Sequence, residues 1–95
     1  MQWEDRTADY YIDRMLRQWD LADFASEMQV ERVYRQLVGD LIIRLTQSVR
    51  FKKGTLRLKF AAAALRQEMT LRHDSLRQKM NETLGGEVVK TIIIS

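Results

Sequence analysis

The 95-residue chain contains no cysteine, which excludes disulfides and thiolate metal sites. It holds a single histidine, His73, so there is no second imidazole from which to build a zinc site or a nucleophilic centre. No G-x-x-x-x-G-K-[ST] phosphate loop occurs, which argues against an ATPase. No apolar run approaches the roughly 18 residues of a membrane span. The opening residues, MQWEDRTADYY, are acidic and aromatic rather than basic and then apolar. They do not read as a secretory signal, and a cytoplasmic protein is expected. One further absence is local: from Leu41 to Phe60 there is no acidic residue at all.

What is present fits one folded domain. A hydrophobic content of 45% with 31% charged residues lies well away from the composition of disordered chains, and the length suits a single core over residues 1–95. The net charge of +3 hides an asymmetry, since residues 1–40 carry nine acids and five bases whereas residues 41–95 carry four acids and eleven bases. Six of those bases, Arg44, Arg50, Lys52, Lys53, Arg57 and Lys59, fall in the acid-free stretch. Such a local excess is the footprint of a phosphate-binding surface, although charge alone does not establish one.

The same stretch has the period of a hairpin. Val49, Phe51, Leu56, Leu58 and Phe60 alternate with Arg50, Lys52, Arg57 and Lys59, so one face of the strands is core and the other cationic. A two-residue turn at Lys53 and Gly54, with Gly54 supplying positive φ, sets Phe51 opposite Leu56 and Val49 opposite Leu58. It also sets Arg50 opposite Arg57, a like-charge pair that costs up to about 1 kcal/mol unless something negative lies against it. A solvated outer sheet face and an anion-binding face are both compatible with this pattern.

In chain order, Thr7 is positioned to cap a first helix through Trp19, with Tyr11, Ile12, Met15, Leu16 and Trp19 on one stripe. Trp3 and Tyr10 fall off that stripe and are candidate partner contacts, against the plainer reading of partly exposed terminal aromatics. After a break over Asp20 to Ala25, Ser26 and Gln29 read as a capping box opening a second helix to about Gln47. Its apolar face, Val30, Val33, Tyr34, Leu37, Leu41, Ile42 and Leu45, is broad enough to lie on a sheet. Gly39 within it costs about 1 kcal/mol against alanine, which points to close approach of another backbone. A third helix starts on the four alanines after the hairpin, with Leu65, Met69, Leu76, Met80 and Leu84 inward and His73 on its surface, and stops at Gly85 and Gly86. The final EVVKTIIIS reads as a β-branched strand covered on both faces. The result is an α+β two-layer domain, ordered helix-helix-strand-strand-helix-strand. The last strand runs parallel to the second, and its place beside the first or the second strand is open.

The segment from Val30 to Ile94 resembles the DciA-like family, and most closely its short members from Bacteroidetes. The resemblance rests on order and spacing: Val38-Gly39 in the second helix, Thr46 before the hairpin, the turn at Gly54, the Leu65-Arg66-Gln67-Glu68 run, Arg72, Leu76, Asn81 and Gly85, and a closing isoleucine strand. Residues 1–25 fit more loosely than the core from 26 to 95. Where the family usually has Trp five residues before its glycine this chain has Tyr34, and where it often has Pro after the glycine this chain has Asp40. Many members carry a long disordered extension that is not in this sequence, and nothing the family places there is carried over.

The resemblance implies a KH-like fold and a non-enzymatic accessory of DNA replication that binds the DnaB-type hexameric helicase and DNA and assists helicase loading, with no cofactor, metal or small-molecule substrate and no membrane partner. It also implies a cytoplasmic, nucleoid-associated location. On this reading the basic set Arg44, Arg50, Lys52, Lys53, Arg57 and Lys59 contacts phosphates, and helix surfaces of the acidic N-terminal half contact the helicase. The GxxG loop by which KH modules clamp a nucleic-acid backbone is absent, because Gly85 and Gly86 are adjacent and follow a helix. Two other classes stay open: a KH-like RNA-binding module, and a protein-only adaptor whose basic face meets an acidic partner.

Overall fold

Residues 21–95 are described by a computed structural model. The helix expected over 7–19, together with Trp3 and Tyr10, lies outside them. Five elements follow: α1 (Leu21–Leu45), β1 (Thr46–Lys52), β2 (Thr55–Phe60), α2 (Ala63–Leu84) and β3 (Thr91–Ile94). They form an α+β fold in which a three-stranded sheet of order β1-β2-β3 packs against the two helices.

The alternation of the hairpin dictates the sheet. β1 and β2 pair antiparallel with Phe51 opposite Leu56, Val49 opposite Leu58 and Arg50 opposite Arg57, the register expected from the turn. Lys53 and Gly54 both take positive φ, 50° and 82°, the twist that suits a two-residue hairpin loop. Leu56, Leu58 and Phe60 are almost wholly buried, and together with Phe51 and Ile92 they meet Val30, Val33 and Tyr34 of α1 and Met69 and Met80 of α2 in one core. β3 lies beside β2 and parallel to it, with Leu56 opposite Ile92 and Arg57 opposite Ile93. It is therefore an edge strand, not a strand covered on both faces, and Ile93 is 41% exposed.

Helix α1 departs from expectation in four respects. Helix α1 already includes 21–25, where a break was expected, because nothing between Leu21 and Ser26 is a Gly or Pro able to interrupt it. The helix ends at Leu45, so Thr46 and Gln47 belong to β1. Gly39 does not meet another backbone; a Cβ there would find nothing within 4 Å. Its φ of 83° and ψ of 171° instead put a kink between 21–38 and 40–45, in a region of backbone space open essentially to glycine alone. The close approach occurs at Gly54, where a Cβ would sit 3.1 Å from Cδ of Lys90 and whose carbonyl accepts both the Lys90 and Thr91 N–H. The apolar face of α1 is also narrower than expected. Val30, Val33 and Tyr34 are buried, but Leu37, Leu41 and Leu45 are exposed among the described residues, since three short strands offer too little surface to cover them all.

Several residues of the family pattern hold the layers together. The Tyr34 hydroxyl lies 2.9 Å from Thr46 Oγ1, which donates its own proton to the Ile42 carbonyl at 2.6 Å, so Tyr34 is the donor to Thr46. Burial pushes the Tyr34 phenol above its ordinary value, with the Arg35 guanidinium opposing. Arg66 donates to the carbonyls of Phe60 and Ala61, tying the start of α2 to the end of β2. Asn81 is buried and pairs in both directions with the backbone of Val89: Oδ1 accepts its N–H at 2.8 Å and Nδ2 donates to its carbonyl at 2.9 Å. The Asn81 carbonyl also accepts the N–H groups of Gly85 and Gly86, where α2 ends with Gly85 left-handed at φ 83°.

Two stability measurements follow. Gly39→Ala is expected to destabilise the fold by about 1–3 kcal/mol in urea unfolding, although there is room for the methyl, because the backbone conformation is the obstacle. Asn81→Ala leaves both polar groups of buried Val89 unpaired and is expected to cost at least about 2 kcal/mol; a loss below about 0.5 kcal/mol would show that water replaces the amide.

Candidate nucleic-acid interface

Because β1 and β2 bury every second side chain, the intervening ones share the face of the sheet turned away from the helices. Ser48, Arg50 and Lys52 of β1, Thr55, Arg57 and Lys59 of β2, and Thr91 and Ile93 of β3 occupy it. The register places Arg50, Arg57 and Ile93 in one row across the strands, and Lys52, Thr55 and Thr91 in the next. Neighbouring strands are about 4.8 Å apart, and Arg57 and Lys59 follow each other along β2 at roughly 6.7 Å. Lys53 extends the positive surface at the turn, where it is exposed. The sequence-derived basic set is thus brought together, except that Arg44 sits in the last turn of α1 rather than on the sheet.

The opposed Arg50 and Arg57 are relieved by a residue that sequence reasoning missed. Glu27 of α1 accepts from Arg50 Nε at 3.3 Å and from the backbone N–H of Phe51 at 3.1 Å. One carboxylate thereby offsets part of the like-charge cost and occupies an outward N–H of the edge strand β1. No sequence signal connects Glu27 to a strand 23 residues later; only the unexplained Arg50–Arg57 repulsion hinted that an acid was required. Arg50 remains largely exposed, and its ion pair is a solvent-facing one. Arg44, Lys52, Lys53, Arg57 and Lys59 make no ion pair with any described residue.

Two basic residues of α2 behave differently. Arg72 pairs with Glu68 at 2.6 Å and Arg77 with Asp74 at 3.0 Å, local pairs one helical turn apart that neutralise that surface. His73 is exposed, with Nδ1 2.6 Å from the Thr70 carbonyl. Among the described residues no group of three His, Cys, Asp or Glu is gathered as metal ligands, and no helix is long and apolar enough to cross a membrane.

On the helical layer, a groove of about 400 Å³ separates the second half of α1 from α2. Leu37, Val38, Ile42, Leu65, Met69 and Leu76 line it, with Glu68, Arg72 and Lys79 at the rim. The molecule therefore presents two chemically distinct surfaces: a cationic sheet face and an apolar helical groove.

Comparison with family models matches residues 8–94 to a family described as Dna[CI] antecedent, DciA. Comparison with curated proteins gives no match.

Glu27→Gln keeps an acceptor for the Phe51 N–H while removing the charge beside Arg50. It is expected to raise affinity for a polyanion such as heparin roughly 2–5-fold at low salt, the effect of up to about 1 kcal/mol of surface ion pairing. Unchanged affinity would mean that Arg50 already contacts anions while paired with Glu27.

Proposed function

Since the chain belongs to the DciA family, we propose that it is a non-enzymatic accessory of DNA replication that binds single-stranded or forked DNA on the outer sheet face, binds the DnaB-type hexameric helicase through its helical layer, and helps place one on the other. Family membership is consistent with a role in DNA replication or helicase loading. The observation that carries the DNA-binding half is the group Lys52, Lys53, Arg57 and Lys59, exposed on the hairpin with no acidic partner among the described residues. Unpaired cations held on a rigid sheet attract phosphates and release counterions on binding.

The same face suggests the manner of binding. Its aromatic neighbours Phe51 and Phe60 point into the core, and no described side chain on the outer face is aromatic, so bases have no stacking platform there. Contacts to phosphate position a nucleic acid without reading its sequence. Arg57 and Lys59, roughly 6.7 Å apart along β2, are far enough apart to contact different phosphates of one backbone. This favours sequence-indifferent contact with the phosphate backbone; since aromatic stacking serves single-stranded DNA and RNA binders alike, the preference for DNA over the RNA-module reading rests on family membership.

The helicase-binding half rests on family membership together with the apolar groove between α1 and α2, since exposed apolar surface rimmed by charge marks protein contact sites. The groove lies on the layer opposite the cationic face, so both partners fit at once. Trp3 and Tyr10, the aromatics singled out as partner contacts, fall outside the described residues.

The experiment combines two titrations. Binding to a single-stranded oligonucleotide across a salt series is expected to give a slope of log K against log salt near about −3, from roughly −0.7 for each of about four phosphate contacts. Arg57→Glu with Lys59→Glu is expected to flatten that slope by about half and to weaken binding at least tenfold. Titration against the hexameric helicase of the same organism, followed by light scattering, is expected to yield a stable complex that survives this double substitution. A flat salt dependence would overturn the DNA-binding half. Absence of a helicase complex with tighter binding to structured RNA would overturn the loader reading.

A further inference from the structure

The two edges of the sheet are treated very differently. On β1, the carboxylate of Glu27 occupies the Phe51 N–H, the strand is interrupted by an irregularity between Thr46 and Ser48, and Arg50 and Lys52 project from it. Each of these devices discourages pairing with another strand. On β3, the residues are Thr-Ile-Ile-Ile, with no charge, proline, glycine or bulge, and no described element lies beyond the strand.

The hydrogen-bonding pattern defines what the open edge offers. Thr91 and Ser95 direct their N–H groups to the carbonyls of Gly54 and Leu58, and the Ser95 carbonyl accepts from Phe60. In a parallel ladder alternate residues face the same neighbour. The N–H and C=O groups of Ile92 and Ile94 therefore point outward from the sheet, with no partner among the described residues.

Apolar side chains accompany this edge on both faces. Ile93 is 41% exposed on the outer face, and Leu71 of α2, 82% exposed, shares a groove with Ile94 on the inner face. The flank of α2 along that groove presents Ala63, Gln67, Thr70 and Leu71, and the guanidinium of Arg66 is turned onto the Phe60 and Ala61 carbonyls.

We propose that β3 pairs antiparallel with β3 of a second copy of this chain, about a two-fold axis through Ile93, joining two sheets into one of six strands. In that register Ile92 of one copy and Ile94 of the other exchange both backbone hydrogen bonds, twice over, and Ile93 meets Ile93 of the partner in the closer, non-hydrogen-bonded position. Charge permits this occupant: the side chains brought together across the axis on the outer face are Thr91, Ile93 and Ser95, all neutral, and the inner flank of Ala63, Gln67, Thr70 and Leu71 is uncharged apart from the engaged Arg66. The pattern is self-complementary, so no other partner sequence is needed. The assembly does not depend on what binds the outer face. It sets the cationic surfaces of two copies side by side with a neutral strip between them, and so lengthens the track available to a polyanion.

The absence of native cysteine makes the test direct. Sedimentation or light scattering of the full chain from micromolar to millimolar concentration is expected to show the mass rising from 11.3 kDa toward twice that value. Ile93→Lys, at an exposed position, is expected to hold the chain monomeric throughout that range, with thermal unfolding unchanged at low micromolar concentration, where the parent chain is monomeric too. Ile93→Cys is expected to oxidise to a linked dimer at least about tenfold faster than Ser48→Cys, which sits on the same face of the opposite edge strand, as the short separation in a non-hydrogen-bonded pair allows. A mass that stays monomeric, a dimer that persists in Ile93→Lys, or equal oxidation of the two cysteine variants would each overturn the proposal. None of these outcomes bears on DNA or helicase binding, which are read separately.

Discussion

Burial of one face of β2 is the constraint on which the rest of this domain depends. Leu56, Leu58 and Phe60 are between 0% and 1% exposed, and full burial of such side chains is worth about 1.5–3 kcal/mol each. With those three turned inward, the pleat leaves Thr55, Arg57 and Lys59 no position except the opposite face. A slip of one residue would reverse the whole set, so the core itself holds the cationic surface in place. Both neighbours of β2 align to it, β1 through the Lys53-Gly54 turn and β3 through the bonds that Gly54 and Leu58 accept.

The cationic face is carried by strands paired into a sheet over the core. Its cations differ in availability according to what lies behind them. Arg50 is held by Glu27, which also satisfies a backbone donor, whereas Lys52, Lys53, Arg57 and Lys59 make no ion pair with a described acid. Arg72 and Arg77 of α2, by contrast, are matched one turn away by acids on their own helix. Abundance of Arg and Lys is thus a poor guide to where a polyanion would bind; the absence of nearby carboxylates is the better one.

Much of the hairpin was legible because its determinants are local. Alternation and a glycine turn specify register within a dozen residues, and the opposed pairs from Val49–Leu58 to Phe51–Leu56 are those the pattern required. The end of α2 at Gly85 was legible for the same reason. In α1 the local signals and the observed structure diverge. A capping box at Ser26 suggested a start, but the helix is already formed at Leu21, since a favourable cap does not stop a helix that nothing upstream interrupts. The purpose of Gly39 was misread because a lone glycine inside a helical pattern signals either a close contact or a special backbone angle, and only coordinates distinguish them. Asn81 stood out as part of a family pattern, yet its pairing with Val89 is a contact made across a turn and could not be read from spacing.

By itself the sequence determined the two-layer class, the hairpin and its register, the face that carries charge, and the family to which the chain belongs. These follow from periodicities of two and of about 3.6, from turn chemistry and from the order of motifs, all of which are properties of neighbouring residues. Tertiary structure alone decided that β3 lies beside β2 and is an edge, that Glu27 engages Arg50 and Phe51, that α1 bends at Gly39, and that an apolar groove opens between the helices. Each of those depends on which distant segments meet. Such meetings are settled by packing the whole core at once, because the same local patterns are compatible with more than one arrangement of strands and helices.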